Sequence, residues 1–166
     1  MTTSTTAGGC PMAPTGLESV HWDQDLSYGS YLALDELLAA QRPRSLEHDE
    51  MLFIVIHQAS ELWMKLAVYE IEAAMRRIAG DDVQPALKMM SRVARIQQNL
   101  TQSWSILSTL TPSDYMKFRP VLGQSSGFQS HQYRLLEFRL GNKSERHVRV
   151  HRAWPERERI LTAALH

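Results

Sequence analysis

The chain has 166 residues, which is enough for one domain with a hydrophobic core. Its 18 basic and 18 acidic residues balance, so net charge gives no reason to expect nucleic acid or an acidic membrane surface as a partner. The single cysteine, Cys10, excludes an intrachain disulfide and fits a reducing compartment, so we expect a cytoplasmic protein. No apolar run reaches the roughly 18 residues that span a bilayer, so we expect no membrane-spanning segment.

The N-terminal region is predicted to be a flexible tail over residues 1–20, ahead of one helical domain over residues 21–166. Residues 1–16 are mostly threonine, glycine, serine and proline. They carry neither the basic nor the apolar region of a secretory signal, so we expect no signal peptide. Cys10 lies in this tail, and we expect it to be an exposed thiol without a role.

The first helix is predicted from Ser27, a favourable N-cap residue, to about Gln41, because Arg42 and Pro43 then end it. Gly29 lies in the first turn, where glycine weakens a helix by up to about 1 kcal/mol relative to alanine. Either the glycine is simply tolerated there, or another chain or a ligand approaches the backbone at this point.

The longest helix is predicted to have Ser45 as its N-cap and to end at Gly80, because no proline or glycine interrupts that stretch. Apolar residues are dense at positions 51–56 and become periodic afterwards. A helix that is apolar on most sides must be buried on most sides. We therefore expect the first half of this helix to be central in the fold and its second half to be more exposed.

A second long helix is predicted from Asp81 or Asp82 to about Leu110. Mostly apolar residues recur along it at steps of three or four, at Val83, Leu87, Met90, Val93, Ile96, Leu100, Ser103, Leu107 and Leu110. Such a stripe is typical of a helix that packs antiparallel on its neighbour in the sequence. The two long helices are therefore predicted to form the centre of a bundle.

The remaining segments are also predicted to be helical, so the fold class is all-α, a bundle of long antiparallel helices. The predicted parts are a short helix that residues 111–114 cap and that ends at Phe118, a loop over residues 123–127, a helix over residues 129–140 with Tyr133, Leu136 and Leu140 inward, and a last helix from Pro155. The last helix reaches His166 with half an apolar stripe and no cap. We therefore expect the chain to be truncated at its C-terminus.

Three polar side chains are candidates for a small-molecule site. His57 ends an apolar run, and an imidazole there is either a hydrogen-bonded core residue or a group that binds a ring N–H or takes up a proton. Tyr115 and Arg119 are four residues apart and share one helix face. Arg119 is expected either in an internal salt bridge or as a bidentate partner of a carboxylate. Tyr115 is expected either in the core or beside that carboxylate.

The loop over residues 123–127, Gly-Gln-Ser-Ser-Gly, is either a simple turn or a source of N–H and hydroxyl groups for an anion such as a propionate. It lacks the lysine and the spacing of a nucleotide-binding P-loop. His147 and His151 have no third ligand beside them, so we expect a solvated face and no metal site. The absence of a nucleophile elbow and of an apolar carboxylate pair disfavours acyl transfer and glycoside hydrolysis.

Several segments resemble, in wording and in order, the tryptophan 2,3-dioxygenase family. They are residues 27–32, residues 48–58 (His-Asp-Glu-Met-Leu-Phe-Ile-Val-Ile-His-Gln), and residues 60–65, 110–116, 118–123, 125–130 and 132–134. The resemblance implies an all-helical, homotetrameric oxidoreductase that contains haem b. It implies insertion of both atoms of O₂ across the C2–C3 bond of the indole ring of L-tryptophan. The product would be N-formyl-L-kynurenine, in the first step of tryptophan degradation by the kynurenine pathway.

The resemblance also implies roles for individual residues, with His57 as the distal histidine that binds the indole N–H and Arg119 as the clamp on the substrate carboxylate. The residues implied at the substrate are Phe53, Ile54, Val55, Ile56, His57, Tyr115 and Arg119. Those implied at the haem are Trp104, Leu122, Ser126 and Gly127. Tyr28, Tyr31 and Leu32 resemble residues that family members insert into a neighbouring subunit's pocket, which would explain the small Gly29 beside them.

The sequence departs from the family pattern in two respects. His131 stands where the family more usually has an apolar residue, and we expect it to alter local packing or substrate choice. The family's axial haem histidine lies in a C-terminal half, and no histidine of this chain matches its context, so we expect no axial ligand here. Two alternatives stay open: a non-catalytic helical subunit that associates with a complete homologue, and an oxygenase of a tryptophan derivative in secondary metabolism.

Overall fold

The computed structural model describes residues 27–166, and these residues are helical with no β-strand among them. The predicted all-α fold class is therefore confirmed. The predicted tail over residues 1–20, including Cys10, lies outside the described residues. The chain divides into two compact units, Met1–Ala40 and Gln41–His166. Each unit is described by itself below.

The first unit contains two short helices, α1 (Tyr28–Tyr31) and α2 (Leu34–Leu38). Ser27 is the N-cap of α1, as predicted, and its hydroxyl oxygen accepts a hydrogen bond from the N–H of Ser30 at 3.1 Å. The predicted continuous helix to Gln41 is wrong. Ala33 has a φ of 49°, in the left-handed region, and this separates α1 from α2.

The second unit is built on α3 (His48–Ala79) and α4 (Val83–Leu107), which the turn at residues 80–82 joins into an αα-hairpin. The core between them is formed by Met64, Ala67, Val68, Ile71, Val93 and Ile96, with Leu136 added from a later helix. An ion pair between Arg92 and the buried Glu70 also joins the two helices. The predicted bundle centre of two long helices is confirmed, although α4 ends three residues before the predicted Leu110.

The burial along α3 is the reverse of the expectation. Its second half supplies the core, whereas its first half contains one buried residue, Glu50, and exposes Met51 and Val55. The reason is the packing of α4. Its Val93 and Ile96 pack on the second half of α3, while farther along the hairpin the two helices line a cavity instead of closing on each other.

The start of α3 is held by Glu50, which is 2% exposed. Its carboxylate accepts hydrogen bonds from the N–H of Arg44 at 2.8 Å, the N–H of Ser45 at 2.7 Å and the hydroxyl of Ser45 at 2.6 Å. Burial opposes ionisation, but these hydrogen bonds outweigh it, so the pKa of Glu50 is lowered. The prediction of Ser45 as the N-cap of α3 is therefore wrong, because Glu47 is the N-cap.

Beyond α4 the chain forms α5 (Pro112–Phe118), a 3₁₀ helix at Arg119–Leu122, a second 3₁₀ helix at Gly127–Gln129, and α6 (His131–Arg139). Thr111 is the N-cap of α5, as predicted. In α6 the predicted inward positions are partly wrong. Leu136 is buried, but Tyr133 and Leu140 are exposed, because α6 packs between two partners and buries Arg134 and Phe138 as well.

The last helices, α7 (Glu145–Arg149) and α8 (Pro155–Leu165), pack together, and α8 packs on α6. Phe138, Val148, Leu161 and Ala164 form the core of this region. His151 is 0% exposed, and neither of its ring nitrogens has a hydrogen-bond partner. The expectation of a solvated face at His147 and His151 is therefore wrong for His151, because the α6–α8 contact covers it.

Helix α3 is long and apolar enough, by length and composition alone, to cross a membrane. The expectation of no such segment counted uninterrupted apolar residues, whereas an average over a window tolerates two charges. The core helix of a soluble protein passes the same test. In this chain α3 carries the core contacts with α4 and α6, including a hydrogen-bonded ion pair from Arg139 to Glu72 at 2.8 Å.

Candidate functional site

His57 lies at the centre of the candidate site, in the first half of α3. Its Nδ1 atom is 2.7 Å from the carbonyl oxygen of Phe53, one helical turn earlier. A carbonyl oxygen can only accept, so Nδ1 of the neutral imidazole carries the hydrogen. The Nε2 atom therefore carries the lone pair, and it has no hydrogen-bond partner within residues 27–166. The geometry makes His57 a hydrogen-bond acceptor toward its surroundings.

Two rings of α3 and two rings of α5 form an aromatic cluster here. The Phe53 ring centroid lies 4.2 Å from that of His57, 5.9 Å from that of Tyr115 and 5.6 Å from that of Phe118. Phe118 is fully buried, so α5 is fixed against α3 through its aromatic face. The structure thus brings together Phe53, His57 and Tyr115, which the sequence predicted as neighbours in one site.

Arg119 follows α5 at the start of the first 3₁₀ helix. Its Nη1 donates a hydrogen bond to the carbonyl oxygen of Gly123 at 2.9 Å, and it forms no ion pair within the described chain. The internal salt bridge that was one of its two expected partners is therefore not found there. Gly123 has φ 56° and ψ −125°, a conformation that glycine adopts without strain. The guanidinium and the loop that begins at Gly123 are positioned together.

The loop after Gly123 leads into the second 3₁₀ helix, which begins with a capping box. The hydroxyl oxygen of Ser126 accepts from the N–H of Phe128 at 3.3 Å, and the side chain of Gln129 accepts from the N–H of Ser126 at 3.4 Å. These contacts present Ser126 and Gly127 toward α3. The predicted loop is thus ordered by its own side chains.

A first cavity of about 410 Å³ lies between α3, α4 and this loop. Its residues are mostly apolar or aromatic on α3 and α4, with a polar rim from the loop and α6: Ile56, His57, Ser60, Glu61, Met64, Leu100, Ser103, Trp104, Leu107, Ser126, Gly127, Phe128, Ser130, Tyr133 and Arg134. Trp104 is 67% exposed even though it lines the cavity, so the cavity has an open side. Such a site suits a large, flat, apolar ligand.

A second cavity, of about 390 Å³, lies on the other side of His57. It is lined by Phe53, His57, Glu61, Leu122, Ser125, Ser126, Gly127, Gln129, Ser130, His131 and Arg157. His57, Glu61, Ser126, Gly127 and Ser130 line both cavities. The imidazole thus stands at the junction of the two cavities.

Some predicted residues lie away from these cavities. Ile54, Val55, Tyr115 and Arg119 line neither of the two, although Tyr115 contacts the ring of Phe53. Tyr28, Tyr31 and Leu32 are exposed in the first unit, where α1 begins and ends. The predicted haem-side residues Trp104, Ser126 and Gly127 line the first cavity, and Leu122 lines the second.

The sequence analysis missed several lining residues, of which Glu61 and Arg134 are the most informative. Glu61 is four residues after His57, so helical spacing alone places it on the same face. Arg134 is buried, donates to Glu137 at 2.5 Å, and lies 5.1 Å from the Tyr133 ring centroid and 5.9 Å from that of Phe128. No periodicity signals such a buried arginine. Within residues 27–166 no group of three or more histidine, cysteine or acidic residues is placed to hold a metal ion.

Comparison with known proteins gives the same family over most of the chain. The family model described as tryptophan 2,3-dioxygenase matches residues 15–162. Tryptophan 2,3-dioxygenase 1 of Ralstonia nicotianae is 51% identical over 164 residues, which are 96% of this chain and 56% of that protein. The Bacillus cereus and Caulobacter vibrioides tryptophan 2,3-dioxygenases are 53% and 55% identical, over 90% and 86% of this chain and 54% of each relative. The chain spans about half the length of the curated relatives it matches.

Proposed function

The chain belongs to the tryptophan 2,3-dioxygenase family, and from that premise we propose that it provides the substrate side of a haem-dependent dioxygenase that acts on L-tryptophan. The reaction proposed is insertion of both atoms of O₂ across the indole C2–C3 bond, which gives N-formyl-L-kynurenine. This reaction is the first step of tryptophan degradation by the kynurenine pathway. No structural observation favours the two alternatives, a non-catalytic subunit or an oxygenase of a modified tryptophan.

The observation that carries the proposal is the hydrogen bond that His57 makes through Nδ1. Its Nδ1–H donates to the Phe53 carbonyl oxygen, so Nε2 is left as an acceptor between the two cavities. The N–H of an indole ring is a donor without an acceptor of its own, and it matches this lone pair. The Phe53 ring, 4.2 Å from the imidazole, offers an aromatic surface for the indole beside that hydrogen bond.

The residues of the first cavity fit a haem. Its walls from α3 and α4 include the apolar side chains of Ile56, Met64 and Leu107, which suit a flat porphyrin. Arg134, buried at the rim, uses one N–H in its ion pair with Glu137, and its other N–H groups are donors for the haem carboxylates. In the proposal Trp104, Ser126 and Gly127 hold the haem in this cavity, and Leu122 contacts it from the second cavity. When bound, the haem supplies the activation of dioxygen.

The roles of this chain's residues then follow from where they lie. His57 accepts the indole N–H and fixes the ring, while Phe53 and its neighbours on α3 exclude water from the reacting face. Arg119 is assigned to the substrate carboxylate, with Tyr115 beside it. The Gly123 carbonyl, at 2.9 Å, holds one N–H of the guanidinium and leaves the other donors for a bidentate contact.

The proposal also concerns partners. We place the axial iron ligand in the part of the relatives' length that this chain does not match, since His57 is the one histidine that lines the first cavity. The assembly proposed is a homotetramer in the cytoplasm, in which Tyr28, Tyr31 and Leu32 reach a neighbouring subunit's site. The exposure of the two tyrosines, 75% and 72%, supports their use as contacts.

The proposal is tested by product formation. Purified chain is mixed with haem, a reductant, L-tryptophan and isotopically labelled dioxygen, with and without the part of the Ralstonia relative that the chain does not match. We expect N-formyl-L-kynurenine with two labelled oxygen atoms when that part is supplied. A reconstituted complex that binds haem and tryptophan but forms no such product would contradict the proposal.

A further inference from the structure

We infer that the second cavity is a carboxylate-binding subsite in which Arg157 supplies the positive charge and His131 a further N–H donor. It is separate from Arg119, which lines neither cavity. The inference deepens the proposed function, on which it rests only for the choice of the ligands tested below. The second cavity, which His57 lines, has more hydrogen-bond donors than the acceptors within the described chain use.

Arg157 has a charge without a carboxylate partner in the described part of the chain. It lies in the first turn of α8 and is half-buried, yet no carboxylate within residues 27–166 comes within 4.0 Å of its guanidinium nitrogens. Its guanidinium carbon lies 5.2 Å from the ring centroid of Trp154. A cation–π contact leaves the N–H groups at the edge of the guanidinium free to donate. Those donors face a cavity.

Two serine hydroxyls add to the donors. The oxygen of Ser126 accepts from the N–H of Phe128 at 3.3 Å, and the oxygen of Ser130 accepts from the N–H of Tyr133 at 3.1 Å. Neither hydroxyl donates to another described residue, so each hydrogen is available to a ligand. The hydroxyl of Ser125, by contrast, already donates to the carbonyl oxygen of Leu122. The available hydroxyls therefore belong to two of the five residues that line both cavities.

His131 supplies a donor without adding a charge. Burial and then the nearby Arg157 lower the pKa of its imidazole, while Glu61 opposes that shift. A neutral imidazole has one N–H to donate and one lone pair. The fixed charges of the cavity are therefore those of Arg157 and Glu61. A ligand with a carboxylate end is bound by the first of these and repelled by the second.

The carboxylate of Glu61 does not pair with Arg157, because hydrogen bonds from Gln132 hold it. Gln132 donates to its Oε2 at 2.8 Å and to its carbonyl oxygen at 3.1 Å, and the carboxylate makes no ion pair with Arg157. The opposite wall, formed by Phe53 and Leu122, is apolar and suits the body of the ligand. Two carboxylates have this character: that of an aromatic amino acid and a propionate of a porphyrin.

Calorimetric titration of the full chain tests the subsite with L-tryptophan, with haem and with haem dimethyl ester, which has no free carboxylate. We expect Arg157→Gln to weaken binding of tryptophan or of haem by about tenfold or more, the loss of one charge-assisted contact. If Arg157→Gln weakens binding of tryptophan alone, the subsite binds the substrate carboxylate in place of Arg119. If Arg157→Gln weakens binding of haem but not of its dimethyl ester, the subsite binds a propionate of the haem. Arg152→Gln, which removes an exposed charge that lines neither cavity, is the matched control and should change neither affinity.

A variant that is expected to bind the carboxylate more tightly distinguishes loss of the subsite from loss of the fold. Glu61→Gln keeps the contact with Gln132 but removes the repelling charge, so it should bind the same carboxylate more tightly, and His131→Leu should bind it more weakly. Circular dichroism checks that each variant keeps its helices. If Arg157→Gln binds both ligands as tightly as Arg152→Gln does, the subsite is overturned while the proposed function stands. A wild-type chain that binds neither ligand, even with the unmatched part of the Ralstonia relative supplied, overturns both.

Discussion

The Nδ1 atom of His57 lies 2.7 Å from the carbonyl oxygen of Phe53, and this contact decides which ring nitrogen is an acceptor. A helix carbonyl four residues earlier is fixed by the backbone, so the tautomer follows from the position of His57 on α3 and not from any ligand. The acceptor nitrogen is therefore in place before an indole arrives. Preorganisation of this kind reduces the ordering that binding would otherwise require.

Replacement of Arg119 by alanine is expected to weaken tryptophan binding by about tenfold to a hundredfold, because a charge-assisted bidentate contact to a carboxylate is lost. The measurement is the dissociation constant of L-tryptophan. Lys117→Ala is the matched control, because it removes a positive charge two residues away that pairs with Asp114. Equal affinities of the two variants would remove Arg119 from the carboxylate site.

Replacement of Glu50 by glutamine is expected to lower the free energy of unfolding by about 2–3 kcal/mol, because an amide cannot accept from all three donors of Arg44 and Ser45. The pKa of Glu50 is lowered in the folded chain, so its stabilisation is present above the ordinary value of 4.5 and is lost as pH falls through the folded value. Urea unfolding at several pH values measures both effects. Glu47→Gln, at an exposed position, should have neither.

The buried His151 is expected to make the chain less stable as pH falls. Burial first, and then the nearby His131, Arg157 and Arg134, lower the pKa of its imidazole below 6.5. The unfolded chain then binds the proton more readily, so the free energy of unfolding decreases as pH falls from about 7 through 6.5 toward the folded value. His151→Phe should reduce this slope.

The control for that slope is His48→Gln, which changes an exposed histidine at the start of α3. Thermal unfolding across the same pH range compares the three chains. If wild type and His151→Phe lose stability in parallel below pH 7, the buried imidazole is not the group responsible. Some slope should remain in His151→Phe, because burial also lowers the pKa of His131.

The sequence predicted the parts of the fold that local chemistry determines. Helix α5, with Thr111 as its cap and Phe118 as its last residue, follows from capping preferences. The pairing of α3 with α4 follows from the stripe that contains Val93 and Ile96. The placement of Phe53 beside Tyr115 was predicted through family resemblance, since the two residues are far apart in the sequence.

Other features depend on packing that no local pattern records. Residues 51–56 are as apolar as a core segment, but Phe53 and Ile56 line cavities and Met51 and Val55 are exposed, because α4 packs on the other half of α3. The break at Ala33 has no proline or glycine to signal it. His151 and Arg134 are polar and buried, and the charged groups near His151 belong to α6 and α8. Burial of this kind is decided by tertiary contacts.

The most direct test of the central claim is binding of L-tryptophan and of 1-methyl-L-tryptophan, which lacks the indole N–H, to wild type and to His57→Phe. Phenylalanine keeps the ring beside Phe53 but has no lone pair to accept with. We predict that wild type binds tryptophan about tenfold more tightly than the methylated compound and that His57→Phe binds the two equally. Equal preference for tryptophan in both chains would contradict the assignment of His57 Nε2 as the acceptor of the indole N–H.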